Sequence, residues 1–411
     1  MIKKTLLSIT LMLGFLLSFP YGVKAKAPIP NNITSEGYVL MDMDSGKILA
    51  SKNENTKYEP ASITKILTAL IVIEKGNLKD KITIKHSPTL EEGSSLYLKE
   101  GEVVTVEQLL YGLMLKSGND AATALAEYIS GSKENFAKEM NKRAKELGAV
   151  NSHFSNPHGL NDNNHYTTPR DYSLIAKGAM NNPTFRKIVG TATYTIAPTP
   201  QFPQARLLVN HNKLISSQKY KYDGANGVKT GFTKRSLHTF VGSATKGHTN
   251  LLVVCMKNST QCYVDTKTLF DYGFTNYESK KITEKGKVIG NMAAKNKKDI
   301  NLIVSQDTSY PFDKSNPEKV STDIKYLDIK KFHAGDVVAK LEIKINGAPY
   351  KTVDLKASKE YIPKIDKTLE KYGITDSNKN IIAFSASLIT LFALLIVFNI
   401  RVKRNRNNIF K

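Results

Sequence analysis

Residues Glu59-Pro60-Ala61-Ser62-Ile63-Thr64-Lys65-Ile66-Leu67-Thr68-Ala69-Leu70-Ile71-Val72-Ile73 set a proline, a serine and a lysine at the head of an apolar run. Pro60 suits the first helical position, where a missing N–H costs nothing, so Ser62 falls in the first turn. Lys65 then lies one turn on, on the same face. A serine hydroxyl is a weak nucleophile until a neighbouring base takes its proton, and a lysine can do this if burial and nearby cations keep its amine neutral. The helix N-terminus adds unpaired N–H groups beside the nucleophile. Taken alone the Ser-x-x-Lys pattern is weak, because Ser130/Lys133, Ser216/Lys219 and Ser243/Lys246 match it too. An exposed serine and lysine on a plain helix is the ordinary reading of a lone match.

Two further motifs change that reading. Ser117-Gly118-Asn119 follows Thr105-Val106-Glu107-Gln108, a capping-box pattern that predicts a helix from Gln108 to about Lys116, and a second helical stretch, Asp120 to Ile129, comes after it. A loop between two helices can present Ser117 and Asn119 to a cleft, although these residue types also build ordinary turns. Lys229-Thr230-Gly231 occurs once, ahead of the strand-like runs Thr239 to Ala244 and Asn250 to Met256. Glycine in a strand lets another backbone come close. An edge strand here offers a cation, a hydroxyl and main-chain N–H groups to a bound acyl-peptide.

The ordered triple resembles the penicilloyl serine transferase superfamily, and within it the low-molecular-mass penicillin-binding proteins that are serine-type D-alanyl-D-alanine carboxypeptidases, peptidase S11. Pro60-Ala61-Ser62, Asn156-Pro157-His158-Gly159-Leu160, His165-Tyr166-Thr167-Thr168-Pro169-Arg170-Asp171 and Asp271-Tyr272-Gly273-Phe274 extend the resemblance over about residues 30 to 365. It implies a catalytic set of Ser62 as acylated nucleophile, Lys65 as general base, Ser117 as proton relay to the leaving D-alanine and Asn119 as support for Lys65 and the substrate amide. Lys229, Thr230, Gly231 and Phe232 would form the substrate-binding set. In it the Lys229 charge lowers neighbouring pKa values, Thr230 takes the terminal carboxylate, and the Ser62 and Phe232 amides make the oxyanion hole. The implied partners are peptidoglycan stem peptides and the β-lactam antibiotics that mimic them, with no metal and no organic cofactor.

One segment departs from that pattern. Many members carry an arginine just after the strand ending near Met256, whereas Lys257-Asn258-Ser259-Thr260-Gln261-Cys262-Tyr263-Val264-Asp265 holds none and has Cys262 in about its place. Either Arg235 supplies the charge or the substrate carboxylate is held more weakly. The stretch Gly159 to His165 lacks the Glu-x-x-x-Asn signature of class A β-lactamases, so a long-lived penicilloyl adduct is expected. A DD-transpeptidase or endopeptidase, or a non-catalytic β-lactam-binding wall protein, are the alternatives.

The termini bear on location. Lys3 and Lys4 precede an apolar stretch from Leu6 to Phe19, and Val23-Lys24-Ala25 suits a signal peptidase, so residues 1–25 read as a signal peptide cleaved after Ala25. Residues 381–400 are free of charge and precede Arg401-Val402-Lys403-Arg404-Asn405-Arg406. That pattern predicts a single transmembrane helix with a cytoplasmic basic tail at 401–411 and a membrane-anchored, extracytoplasmic body. Of the formal net charge of +22, residues 1–25 carry three and 401–411 five, and the lysines between them are scattered with no aromatic-studded patch, so no nucleic acid partner is expected. Attraction to anionic membrane surfaces or wall polymers is the modest inference. Two cysteines make no disulfide framework, and the eight histidines show no metal-ligand spacing.

The expected architecture is α+β. A catalytic domain at 28–278 opens with a hairpin turning at Asp44-Ser45-Gly46 and pairs its first and last strands in one antiparallel sheet, with helices packed around it, as in the DD-peptidase/serine β-lactamase-like fold. A small β-rich domain at 282–356 follows, with Leu341, Ile343 and Ile345 alternating with charged residues and a hairpin at Asn346-Gly347. Residues 357–380 form a juxtamembrane segment, helical in part from Ala357 to Gly373.

Overall fold

The computed structural model describes residues 27–260, 262–294, 297–362 and 376–409; the expected signal peptide lies outside them. The hairpin forms from β1 (Gly37–Asp42) and β2 (Ile48–Lys52). Its turn is held by the Asp42 carboxylate, which accepts the Ser45 N–H at 2.9 Å, and by Gly46 in the left-handed region. The sheet is completed by β3 (Ala225–Thr233), β4 (Leu237–Lys246) and β5 (Thr249–Asn258), in the antiparallel order β2-β1-β5-β4-β3. Early and late strands thus meet at β1 and β5, as expected.

Side chains alternate across this sheet, and both faces are covered. Val39, Met41, Leu252, Val254 and Met256 join one core, whereas Tyr38, Leu40, Leu251, Val253 and Cys255 join the other. Strands buried on both faces read as continuous apolar runs. The first core is filled from α1 (Lys65–Lys75), α2 (Val106–Tyr111), α3 (Asn119–Ser130), α4 (Lys133–Glu146) and α5 (Pro169–Met180). The second receives Leu269 and Phe270 of α6 (Tyr263–Asn276). The Thr105 capping box forms with both of its hydrogen bonds. The helix it starts is regular only to Tyr111, however, and continues as a wider π turn, Gly112–Lys116. Pro60 precedes a 3₁₀ turn, Ala61–Thr64, in place of opening an α-helix, so Ser62 sits in that turn and Lys65 begins α1.

The chain forms two compact units. The first takes in residues up to Ile282 together with Thr308–Glu318, a return for which the sequence carries no signal. The returning strand Thr308–Asp313 pairs with Tyr277–Thr283, and Glu318 meets Lys47 at 3.1 Å. The second unit holds a five-stranded antiparallel sheet in which Leu341, Ile343 and Ile345 are buried. Its hairpin turns at Asn346-Gly347, both at positive φ, the geometry that two-residue hairpins favour. Ala357 ends a strand and residues 358–362 are not helical; the rest of the expected juxtamembrane helix, 363–373, lies outside the described residues. A helix runs from Asp376 to Ile409. Among the described residues no helix is long and apolar enough to cross a membrane. Residues 381–384 of the expected span are among those whose side chains are not described.

The first unit is tied at its start by the buried Asp265 carboxylate of α6. It accepts from the Ser35 N–H at 2.7 Å, the Ser35 hydroxyl at 2.6 Å and the Asn258 amide at 2.8 Å. Asp265→Ala leaves these donors buried and unpaired, and should cost about 3 kcal/mol in urea unfolding of this unit. A loss below about 1 kcal/mol would show that water replaces the carboxylate.

Candidate active site

A positive φ at Ala61 opens the turn that carries Ser62, and three neighbours hold this turn in place. Thr239 donates its hydroxyl to the Pro60 carbonyl at 2.8 Å, Tyr172 donates to the Ile63 carbonyl, and Thr64 bonds His165 Nε2 at 2.9 Å. Two glycines let other backbone approach it. A Cβ on Gly159 would lie 1.9 Å from the Ala61 carbonyl oxygen, and one on Gly231 would lie 2.9 Å from the Ser62 nitrogen. Any side chain at either position would therefore displace the turn.

Lys65 is completely buried behind Ser62. Its amine lies 3.1 Å from Ser62 Oγ, 2.7 Å from Asn119 Oδ1 and 2.6 Å from the His158 carbonyl. Burial first, and the Lys229 cation second, hold the amine well below the ordinary lysine range, against the pull of Asp120 and Glu91. A neutral amine has two hydrogens and a lone pair. The two shorter contacts suit the hydrogens, which leaves the lone pair to accept from Ser62. Lys229 is buried beneath β3, donates to the Thr230 carbonyl at 2.9 Å, and is lowered to about 7 by desolvation.

Ser117 ends the π turn in the left-handed conformation, which is unusual for a residue with a Cβ. Its hydroxyl is buried without a hydrogen-bond partner. A cleft of about 290 Å³ brings Ser117 together with Ser62, Thr230, Gly231 and Phe232. Five of the eight residues singled out from sequence therefore line this cleft, Lys65 and Asn119 meet behind Ser62, and Lys229 bonds the Thr230 carbonyl.

Sequence reasoning missed His211, His238 and Ser94, which also line the cleft. Asn210-His211-Asn212 reads as an ordinary turn, and nothing in its spacing marks His211. Burial, then the Lys229 and Lys116 cations, lowers the His211 imidazole to about 4. Cys262 and Tyr263 form part of the wall. Arg235 does not: it pairs with Glu59 and donates to Asn163 at 3.0 Å, beside a neighbouring pocket. No arginine is among the described residues that line the cleft.

His165 links the site to acid stability. Its Nδ1 accepts the Ser155 N–H at 3.1 Å, so Nε2 carries the proton and donates to Thr64. Burial, helped by the His158 charge, lowers its pKa from 6.5 to about 3. The unfolded chain therefore takes up this proton first, and the stability present above pH 6.5 is lost as pH falls towards 3. His165→Gln should flatten this limb in plots of urea midpoint against pH. An unchanged slope would mean that other groups carry the acid sensitivity.

Comparison with known proteins accords with this geometry. Residues 23–260 match the family model described as D-alanyl-D-alanine carboxypeptidase, and residues 277–362 match the C-terminal domain of penicillin-binding protein 5. The D-alanyl-D-alanine carboxypeptidase DacF of Bacillus subtilis is 36% identical over 321 residues, which cover 74% of this chain and 80% of DacF. The crystal structure of penicillin-binding protein 5 from Haemophilus influenzae aligns with a TM-score of 0.68 at 29% identity, covering 81% of this chain and 99% of that one. A mutant of the Streptomyces K15 DD-transpeptidase aligns with a TM-score of 0.56 at 35% identity, over 60% of this chain and 100% of that one. With its triple of motifs gathered around one cleft, the chain belongs to the D-alanyl-D-alanine carboxypeptidase family, peptidase S11.

Proposed function

We propose that this protein removes the terminal D-alanine from peptidoglycan stem pentapeptides through an acyl-enzyme on Ser62. The observation that carries this reading is the buried Lys65 amine, set against the Ser62 hydroxyl with uncharged partners on its other sides. In the first step Ser62 Oγ attacks the carbonyl carbon of the penultimate D-alanine while its proton passes to Lys65. The oxyanion that forms is held by the Ser62 and Phe232 amides, a role supported by the close approach that Gly231 allows between β3 and the Ser62 turn. The carbon–nitrogen bond then breaks, and the departing amine takes the proton from Lys65 by way of Ser117, whose hydroxyl has no competing bond. Water, activated by Lys65, cleaves the ester.

Thr230 takes the substrate's terminal carboxylate, with Lys229, bonded to the Thr230 carbonyl, supplying the positive side. β-Lactams acylate the same serine. Transfer to an amine in place of water is the second reading, favoured by the likeness to the K15 DD-transpeptidase. No metal or cofactor takes part in either.

Ser62→Ala should abolish both D-alanine release from an acyl-D-Ala-D-Ala peptide and penicillin labelling. Ser117→Ala should lower release about a hundredfold while the protein stays folded. Full release by Ser117→Ala would remove it from the proton path. Stable labelling without release, together with product formed on an added amine, would favour the transferase.

The body of the protein acts outside the cytoplasm, after removal of residues 1–25. The uncharged residues 381–400 and their basic flank anchor it. The full chain should sediment with membranes and resist alkaline carbonate, and truncation before Asp376 should release it. A full chain that washes off would overturn the anchor.

A further inference from the structure

The amine of Lys65 donates its two shorter hydrogen bonds to groups that trace back to adjacent residues of one loop. One is the His158 carbonyl, at 2.6 Å. The His158 ring sits 3.3 Å from the Glu91 carboxylate, and both side chains are nearly buried. His158 Nδ1 accepts the Leu160 N–H at 3.2 Å, so Nε2 carries the proton and donates to Glu91. The other is Asn119 Oδ1, at 2.7 Å. The amide nitrogen of that same side chain donates to the Glu92 carbonyl at 2.5 Å, and the Asn119 backbone N–H donates to the Ser94 carbonyl at 2.7 Å. Gly93 makes the link possible: it adopts a left-handed φ, and a Cβ there would lie 3.0 Å from the Asn119 amide.

We propose that Glu91 is a positioning residue for the catalytic base: it fixes the His158 ring, and through it the carbonyl that orients the Lys65 amine towards Ser62. The inference rests on Lys65 being the base.

The Glu91 carboxylate is built to stay charged. Burial alone would raise its pKa, but hydrogen bonds from His158, from Lys133 at 2.6 Å and from Thr123 at 2.8 Å bring it to about 2. Its charge acts on Lys65 as well as its shape. Among the groups facing Lys65, the cation Lys229 favours the neutral amine, whereas Asp120 and Glu91 favour the protonated one. His158 and His165 are lowered by burial and stay neutral in the working range. Lys133, on the far side of Glu91, offsets part of the carboxylate's field. Glu91 therefore does two things that one substitution can separate: it places an acceptor, and it moderates how readily Lys65 gives up its proton.

The test is the pH dependence of acylation of the full chain by a fluorescent penicillin, read as the second-order rate of labelling. Glu91→Gln keeps the side-chain length and loses the charge, so the acid limb should move to lower pH, with the plateau rate down about tenfold. Glu91→Asp keeps the charge and is too short to reach His158 and Lys133 together, so the plateau should fall while the limb stays in place. Lys133→Met, at a partly exposed position that should fold in any case, should move the limb to higher pH. A loss that reflected only loosened packing would not shift the limb in opposite directions in two variants. Lys65→Ala separates the two levels of the reading. If it still acylates normally, the base assignment fails. If it is inactive while Glu91→Gln and Glu91→Asp keep the plateau rate and Glu91→Gln and Lys133→Met leave the limb unmoved, Glu91 has no positioning role.

Discussion

The rest of the molecule depends on keeping one lysine amine dry and uncharged. An ammonium buried without a carboxylate partner is costly, and a protein meets that cost by shifting the group to its neutral form. Lys65 has no exposed surface, its three hydrogen-bond partners are uncharged, and a second buried lysine stands near it. Asp120 carries a buried negative charge close by, yet it spends that charge on the N–H groups of Leu96, Leu98 and Ala121 and the hydroxyl of Ser95. The acids nearest the Lys65 amine are thus committed elsewhere. They shape the loop that holds the site without pairing with the amine.

Close approach of backbone is the second constraint, and it explains why a sheet and a helix start meet at this point. The 3₁₀ turn bearing Ser62 is packed between β3 on one side and the His158-Gly159 loop on the other. Both contacts run through glycines that have no room for a methyl group. The two-sided burial of the sheet supplies the rigidity behind them, because β1 and β5 are fixed by cores on both faces and β4 carries the Thr239 hydroxyl that pins Pro60.

What the sequence disclosed follows from which features are local. The hairpin at Asp44-Ser45-Gly46, the Thr105 capping box and the Asn346-Gly347 turn each depend on a few adjacent residues, so their chemistry is legible without coordinates. The three motifs were legible because each combines residue types that one reaction needs. Glu91 and His211 were not, since each gains its meaning from residues far away in the chain. The placement of Arg235 was hidden for a similar reason: Glu59, three residues before Ser62, pairs with it beside a neighbouring pocket. The return of Thr308–Glu318 to the first unit is likewise a matter of long-range pairing, which no periodicity within those residues announces.

Position 117 shows how the demands of folding and of chemistry diverge. Its backbone lies in the left-handed region, where a side chain costs on the order of 1 kcal/mol and glycine is at ease. Its hydroxyl is buried without a partner, a second debit against the folded state. Glycine would relieve both, so stability by itself pushes this position away from serine. In a lineage released from selection for acyl transfer, residue 117 is where decay would be rewarded, and the scaffold would gain robustness as it lost its chemistry. A serine kept there against that gradient is what the proposed proton path would require.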